Sequence, residues 1–327
     1  MKFATIGSGM IVDLFIQSAH NVENVRCDLV YSRSLVKACE FAQKHGVARF
    51  VDDLDALVND SIIDTVYIAS PNSLHFMQAK MALEAKKNVI LEKPVCASVK
   101  EYETLMQIAK AHGVYIVEAI TNAHCASMQY MKDNLAKLGN VKCILANFSQ
   151  YSSRYDLYKQ GQVTNVFDPK MEGGALVDIG IYNLYVCVHL FGKPLSYQYI
   201  ANIGFNGIDT SGCLILQYPS FFACLTGAKD CSAPNVFTIE GDEASFIIDE
   251  GSAGRCKHVS LYQKGKIVDE YRQSDIHMEY EISDFSKAFE KRSESLINQW
   301  NQETLDVLEI MENARKQSGV LFEKEKN

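Results

Sequence analysis

Through the first third of the chain, short apolar runs alternate with stretches whose apolar residues recur every three or four positions. The runs predict strands at 2–6, 26–31, 65–69, 88–91 and 115–118. The periodic stretches predict helices at 10–19, 35–45, 53–58, 74–85 and 99–112. Gly46 and Gly113 read as helix stops, since glycine enters the left-handed region without a Cβ penalty. Strands and helices in strict alternation build a parallel sheet.

Beyond residue 120 the rhythm changes. A helix at 128–138, a strand at 141–149 and a polar loop lead to Gly173-Gly174, and a helix at 175–191 follows. Between 195 and 270 several segments alternate with period two, among them 213–218, 221–226, 235–240 and 245–248, which predicts a mainly antiparallel sheet. Helices at 279–291 and 302–317 close the chain. With 327 residues and no linker rich in Pro, Gly or Ser, two domains are expected, 1–120 and 121–327, packed closely about a cleft.

Composition narrows the partners. A net charge of −8 disfavours nucleic acid, whose non-specific affinity comes from clustered Lys and Arg. Ten cysteines are scattered without metal-ligand spacing, so they read as reduced, mostly buried thiols, and no metal is expected. The opening residues run straight into a strand pattern, with no cationic segment leading an apolar signal. No apolar stretch reads as long enough for a membrane span, so a cytoplasmic protein without membrane contact is expected.

Gly7-Ser8-Gly9-Met10-Ile11-Val12 lies between the first strand and first helix, where a dinucleotide pyrophosphate meets exposed helix N–H groups. Gly7 permits the tight turn and Gly9 close approach of the phosphate, while Met10 and Ile11 open the helix beside it. Val12 stands where the fingerprint has its third glycine. Just past the second strand, Ser32-Arg33 occupies the place where an acidic residue holds the NAD ribose and an arginine accommodates the NADP phosphate, so NADP(H) is favoured over NAD(H). The bland counterparts are a ligand-free glycine turn and a solvated arginine at a helix start. The expected fold is α/β: an N-terminal Rossmann parallel sheet, then a C-terminal α+β domain with a mainly antiparallel open sheet.

Ser70-Pro71-Asn72 with His75, then Glu92-Lys93-Pro94, then Glu118-Ala119 follow successive strands, and the second half carries Gly173-Gly174-Ala175-Leu176, Asp178-Ile179-Gly180 and Tyr182. This ordered set resembles the glucose-fructose oxidoreductase / inositol dehydrogenase family. Tyr182 is similar to the branch containing dimeric dihydrodiol dehydrogenase, since many relatives have His there. Where many place an arginine after the Glu-Ala pair, this chain reads Ile120-Thr121-Asn122-Ala123-His124.

The resemblance implies hydride transfer between a nicotinamide cofactor and a small sugar, polyol or trans-dihydrodiol, in a homodimer or homotetramer. It implies that Lys93 contacts both the substrate oxygen and the nicotinamide ribose. Such chemistry needs a base for the hydroxyl proton. A free phenol, pKa ~10, is a weak base at neutrality, and a nearby ammonium favours its phenolate, so Tyr182 is the acid/base candidate with Lys93 as its ammonium. Asp178 lies one helical turn before Tyr182 and either orients a substrate hydroxyl or holds Lys93. Ser70, Pro71, Asn72 and His75 are expected along the cofactor path, with Glu92 beside them. Glu118 is expected either near the nicotinamide or as a strand-end carboxylate satisfied by backbone donors. Asn122, Arg154 and Asn165 are the candidate substrate contacts. The reading from another class is a non-catalytic NAD(P)-sensing regulatory or scaffold protein, which intact Lys93 and Tyr182 argue against.

Overall fold

The computed structural model describes residues 1–273 and 278–326. By contacts the chain divides into two units, the first comprising Met1–Ile120 with 278–305 and the second 121–273 with 306–326. One division between the units falls between residues 120 and 121. Residues 278–305, counted with the second half in sequence, instead belong with the first. The cause is an apolar stripe: Met278, Ile282, Phe285 and Phe289 join Phe3, Phe15 and Tyr67 in one core. Tyr115 stacks on Phe289 at 5.8 Å between ring centroids, and the Tyr102 hydroxyl donates to Asn301 Oδ1 at 2.8 Å.

The first unit carries a six-stranded sheet ordered β3-β2-β1-β4-β5-β6, every pairing parallel. Its strands are β1 Lys2–Ile6, β2 Arg26–Tyr31, β3 Phe50–Val51, β4 Thr65–Ile68, β5 Asn88–Glu92 and β6 Ile116–Ala119. The helices between them are α1 Met10–Ala19, α2 Leu35–Lys44, α3 Leu54–Val58, α4 His75–Glu84 and α5 Val99–His112. Capping explains the boundaries. Ser34 and Ser98 accept backbone N–H bonds at the starts of α2 and α5, and Gly113 ends α5 at φ +69°. This strand order reverses direction between β1 and β4, the switch point at which such sheets bind ligands.

The second unit holds an eight-stranded sheet ordered β14-β13-β12-β11-β7-β10-β9-β8. Its strands are β7 Val141–Ser149, β8 Ser196–Ile203, β9 Asp209–Gln217, β10 Phe222–Ala228, β11 Val236–Gly241, β12 Ser245–Glu250, β13 His258–Gln263 and β14 Lys266–Arg272. All pairings are antiparallel except β7 with β10. The helix expected at 175–191 is in two parts, a π-turn Leu176–Gly180 running into an α-helix Ile181–Phe191. Within Pro169–Phe191 an 18-residue window of mean hydropathy 1.5 is apolar and long enough to cross a membrane, against the expectation that none would be; 72% of that window is buried inside the fold. The thiols also divide more evenly than expected. Cys96, Cys125, Cys187 and Cys256 are buried, Cys231 is exposed, and the other five lie between.

Candidate active site

In the first unit, the predicted cofactor residues collect at the carboxyl ends of adjacent parallel strands. Gly7 follows β1 at φ +123°, and a Cβ there would lie 2.7 Å from the Ala69 carbonyl oxygen and 3.3 Å from Val12, so the turn admits only glycine. Val12 is fully buried, filling the helix–strand contact where the fingerprint has glycine. Gly9 caps α1 with φ −91°, and a Cβ on it would meet nothing within 4 Å. The protein's own packing therefore makes no demand for glycine at position 9. The demand that remains is approach by a phosphate to the first turn of α1, so the residues present fit a dinucleotide. Met10, at 78% exposure, and half-buried Ile11 form that turn. Ser32 and exposed Arg33 follow β2 with no carboxylate between β2 and α2.

The turn bearing Lys93 is clamped from three sides. The backbone N–H of Lys93 donates to Glu92 Oε2 at 3.2 Å, and Glu92 Oε1 accepts the Tyr67 hydroxyl at 2.7 Å. Val95 N–H donates to Glu118 Oε1 at 2.9 Å. His75, 1% exposed, places its two ring nitrogens 3.0 Å from the Pro94 carbonyl oxygen and 3.0 Å from that of Ser70, joining the loops after β4 and β5. The Lys93–Pro94 peptide is cis. Burial pushes the Glu92 carboxyl above its ordinary value, opposed by the Tyr67 hydroxyl and the Lys93 charge. Burial likewise holds His75 below its ordinary value. Glu92 and Glu118, expected among the cofactor contacts, are buried, and Glu118 accepts a backbone N–H within the fold. Ser70 donates to Gln78 at 2.7 Å, and Pro71 leads into the single turn Asn72–Leu74 that starts α4.

In the second unit, Gly173 and Gly174 are required by space. A Cβ on Gly173 would lie 2.5 Å from the Val166 carbonyl oxygen, and one on Gly174, at φ +121°, 2.2 Å from Asp209 Oδ1. Buried Asp209 receives the Leu176 N–H and the Tyr199 hydroxyl, both at 2.7 Å, and so ties the start of the π-turn to β8 and β9. Asp178 sits in that π-turn and half-buried Tyr182 in the first turn of the helix that follows. The Tyr182 ring packs at 6.0 Å from Phe148.

Asn122, expected to touch substrate, is instead fully buried: its amide donates to the backbone carbonyls of Tyr182 and Ala253, each at 3.0 Å, and so holds the Tyr182 backbone from behind. Arg154 and Asn165 are exposed on the loop between β7 and the π-turn. Asp178 is ion-paired with Lys229, a residue the sequence did not single out. A lone lysine just past a strand, 51 residues away in sequence, carries no local signal. Among the described residues no group of three His, Cys, Asp or Glu side chains is placed to hold a metal ion.

Residues 1–119 match "Oxidoreductase family, NAD-binding Rossmann fold" and residues 129–247 match "GFO/IDH/MocA C-terminal domain". The chain is 36% identical over 325 residues to scyllo-inositol 2-dehydrogenase (NADP(+)) IolU of Bacillus subtilis, covering 98% of both. It is 25% identical over 257 residues to trans-1,2-dihydrobenzene-1,2-diol dehydrogenase of Mus musculus, covering 76% of this chain and 75% of that one. Its fold matches the 3-ketoreductase KijD10 from Actinomadura kijaniata, solved with NADP and TDP-benzene, at TM-score 0.85 and 19% identity over 97% of both chains. The two family matches and the near full-length likeness to IolU place this chain in the GFO/IDH/MocA oxidoreductase family.

Proposed function

We propose that this chain is an NADP(H)-dependent dehydrogenase or reductase of a small sugar, polyol or trans-dihydrodiol, in which Lys93 positions the reacting oxygen and Tyr182 moves its proton. The observation that carries the reading is the clamp on Lys93. Three buried side chains from β5, β6 and α4 hold one short turn at the carboxyl edge of the sheet, an investment in rigidity that a surface lysine does not need.

A nicotinamide ring, when bound, accepts a hydride from the alcohol carbon or returns it to the carbonyl. The residues proposed to hold the dinucleotide are Gly7, Gly9, Met10 and Ile11 at the first turn, Ser32 and Arg33 beyond β2, and Ser70, Pro71, Asn72 and Lys93 beyond β4 and β5. His75, Glu92 and Glu118 support them from within the fold. In oxidation the substrate O–H bond breaks as the C–H bond does: the phenolate of Tyr182 takes the proton, and the ammonium of Lys93 stabilises the developing negative oxygen. In reduction Tyr182 returns that proton. Asp178 orients a neighbouring hydroxyl, and Asn122 fixes the helix turn from which Tyr182 reaches. Arg154 and Asn165 are the proposed outer substrate contacts. The preference for NADP(H) is supported by Arg33 without an acidic neighbour at the β2 end and by the cofactor in IolU's name.

The outward face of the eight-stranded sheet supports a homo-oligomer. Leu145, Ile200, Phe222 and Val236 are 37–57% exposed, and the strand register places all four on one side. Light scattering at micromolar concentration is expected to give a dimer or tetramer mass, and a monomer mass would remove this part. The activity itself is tested by following nicotinamide absorbance with purified protein, NADP+ and NAD+ against inositols, pentoses, hexoses and dihydrodiols. Turnover with at least one of them, faster with NADP+, is expected, and no turnover across the panel defeats the proposal.

A further inference from the structure

Asp178 does not stand alone in the second unit. Along β10 the side chains of Ala223 and Leu225 face inward, Gly227 presents bare backbone to the same side, and by the two-residue period Lys229, just past the strand end, continues the same row. The ladder carries on to that point: Lys229 N–H donates to the Thr210 carbonyl at 2.9 Å, and its own carbonyl accepts Ser152 N–H at 2.9 Å.

The inward row meets the π-turn directly. A Cβ added to Gly227 would lie 3.3 Å from the Cα of Gly180, so two glycines allow backbone to press on backbone there. That approach brings the end of β10 beside Asp178, and Lys229 Nζ donates to Asp178 Oδ2. The Lys229 side chain is 10% exposed and that of Asp178 34%. A nearly buried ammonium thus holds a partly open carboxylate, the reverse of a loose surface pair. Beside Lys229, Asp230 is turned to other partners, the hydroxyls of Thr210 and Ser211 at 2.7 and 2.8 Å.

We infer that Lys229 is a positioning residue of the proposed dehydrogenase: it fixes the rotamer of Asp178, and through Asp178 the alignment of the substrate hydroxyl presented to Tyr182. The inference rests on the function proposed above. It assigns the second unit a cation of its own, distinct from Lys93, which acts on the carboxylate and not on the reacting oxygen.

The test uses the full chain with Lys229→Met, Asp178→Asn and the double variant. Misalignment of a reacting group by about an ångström costs on the order of 100-fold. Lys229→Met is therefore expected to lower kcat by roughly 10- to 100-fold while the KM for NADP(H) stays within about twofold. On the Asp178→Asn background the same change is expected to lower kcat by less than about threefold, because residues acting as one unit are non-additive. A Lys229→Met enzyme with unchanged kcat, or equal losses on both backgrounds, overturns the inference.

Wild-type protein inactive on every alcohol would be a failure of the proposed function instead. Melting temperatures of the same four proteins then decide the pair. Lys229→Met is expected to lower the melting point of the wild type and to have a smaller effect on Asp178→Asn. Additive shifts would sever Lys229 from Asp178.

Discussion

In the first unit, place along the chain nearly dictates place in space: each strand is followed by its helix, each strand pairs in parallel, and the candidate groups sit where strands end. The second unit works differently. Its candidate groups are assembled by contacts from far apart in sequence: Lys229 to Asp178, Asn122 to the Tyr182 carbonyl, Asp209 to the Leu176 N–H. The contrast teaches a division of labour. A repeating local rule places the candidate cofactor residues and Lys93, and a set of long-range polar ties places the candidate substrate residues Asp178 and Tyr182.

The sharpest way to break this comparison is Tyr182→Phe. Loss of the general acid/base is expected to lower kcat/KM by about 10²- to 10⁴-fold, with NADP(H) affinity within about twofold by fluorescence titration. An equal loss of cofactor affinity would mean that the two units do not divide the work.

Next in size is a stability effect confined to the second unit. Arg315, 1% exposed, donates to both carboxylate oxygens of Glu325 at 2.6 and 2.8 Å and to the Val320 carbonyl at 2.8 Å, and its guanidinium lies 3.6 Å from the centre of the Phe322 ring. Arg315→Met removes one partner of a buried pair and is expected to cost about 3–5 kcal/mol in urea unfolding. A loss below about 1 kcal/mol would match an exposed pair and not a buried one.

A smaller effect is expected in the first unit alone. Arg33→Ala is expected to raise the KM for NADP+ by roughly 10-fold, the value of one charge-assisted contact, and to leave that for NAD+ unchanged. Equal effects on both would remove Arg33 from phosphate recognition.

The smallest is a pH dependence. Burial keeps His75 neutral to lower pH than its ordinary value of 6.5. As pH falls below that value the unfolded chain gains a proton before the folded one does, so stability declines. His75→Gln is expected to flatten the fall of melting temperature on the acid side of pH 6.5. A curve parallel to wild type would assign the decline to other groups.

The same contrast explains what was legible. Strands β1, β2 and β7 and helices α1 and α5 were readable to the residue, because buried strands, serine caps and a left-handed glycine are local signals. Strand β14, Lys266–Arg272, is exposed along nearly its whole length and offers no alternation to read. The π-turn at Leu176–Gly180 passed for ordinary helix. Its setting is made by Asp209 and Gly227, 33 and 47 residues beyond Leu176 and Gly180, and no local pattern announces it. The closing helix starts at Glu294, eight residues earlier than its periodicity suggested, since its residues through Leu305 belong to the first unit and the rest to the second, so that no one apolar stripe runs its length. Among the proposed site residues, Gly7, Gly9, Lys93, Asp178 and Tyr182 carry a motif signal in the sequence. Lys229 did not, and Asn122 was legible as polar but not as buried, because burial is decided by what packs over it.

The central claim is that Lys93 and Tyr182 serve one substrate oxygen. A crystal structure of the chain with NADP(H) and an inositol or other polyol tests it most directly. The predicted result is a single ligand hydroxyl within about 3 Å of both Lys93 Nζ and Tyr182 Oη, with its carbon facing the nicotinamide. A ligand held by only one of the two, or a nicotinamide ring remote from both, would contradict it.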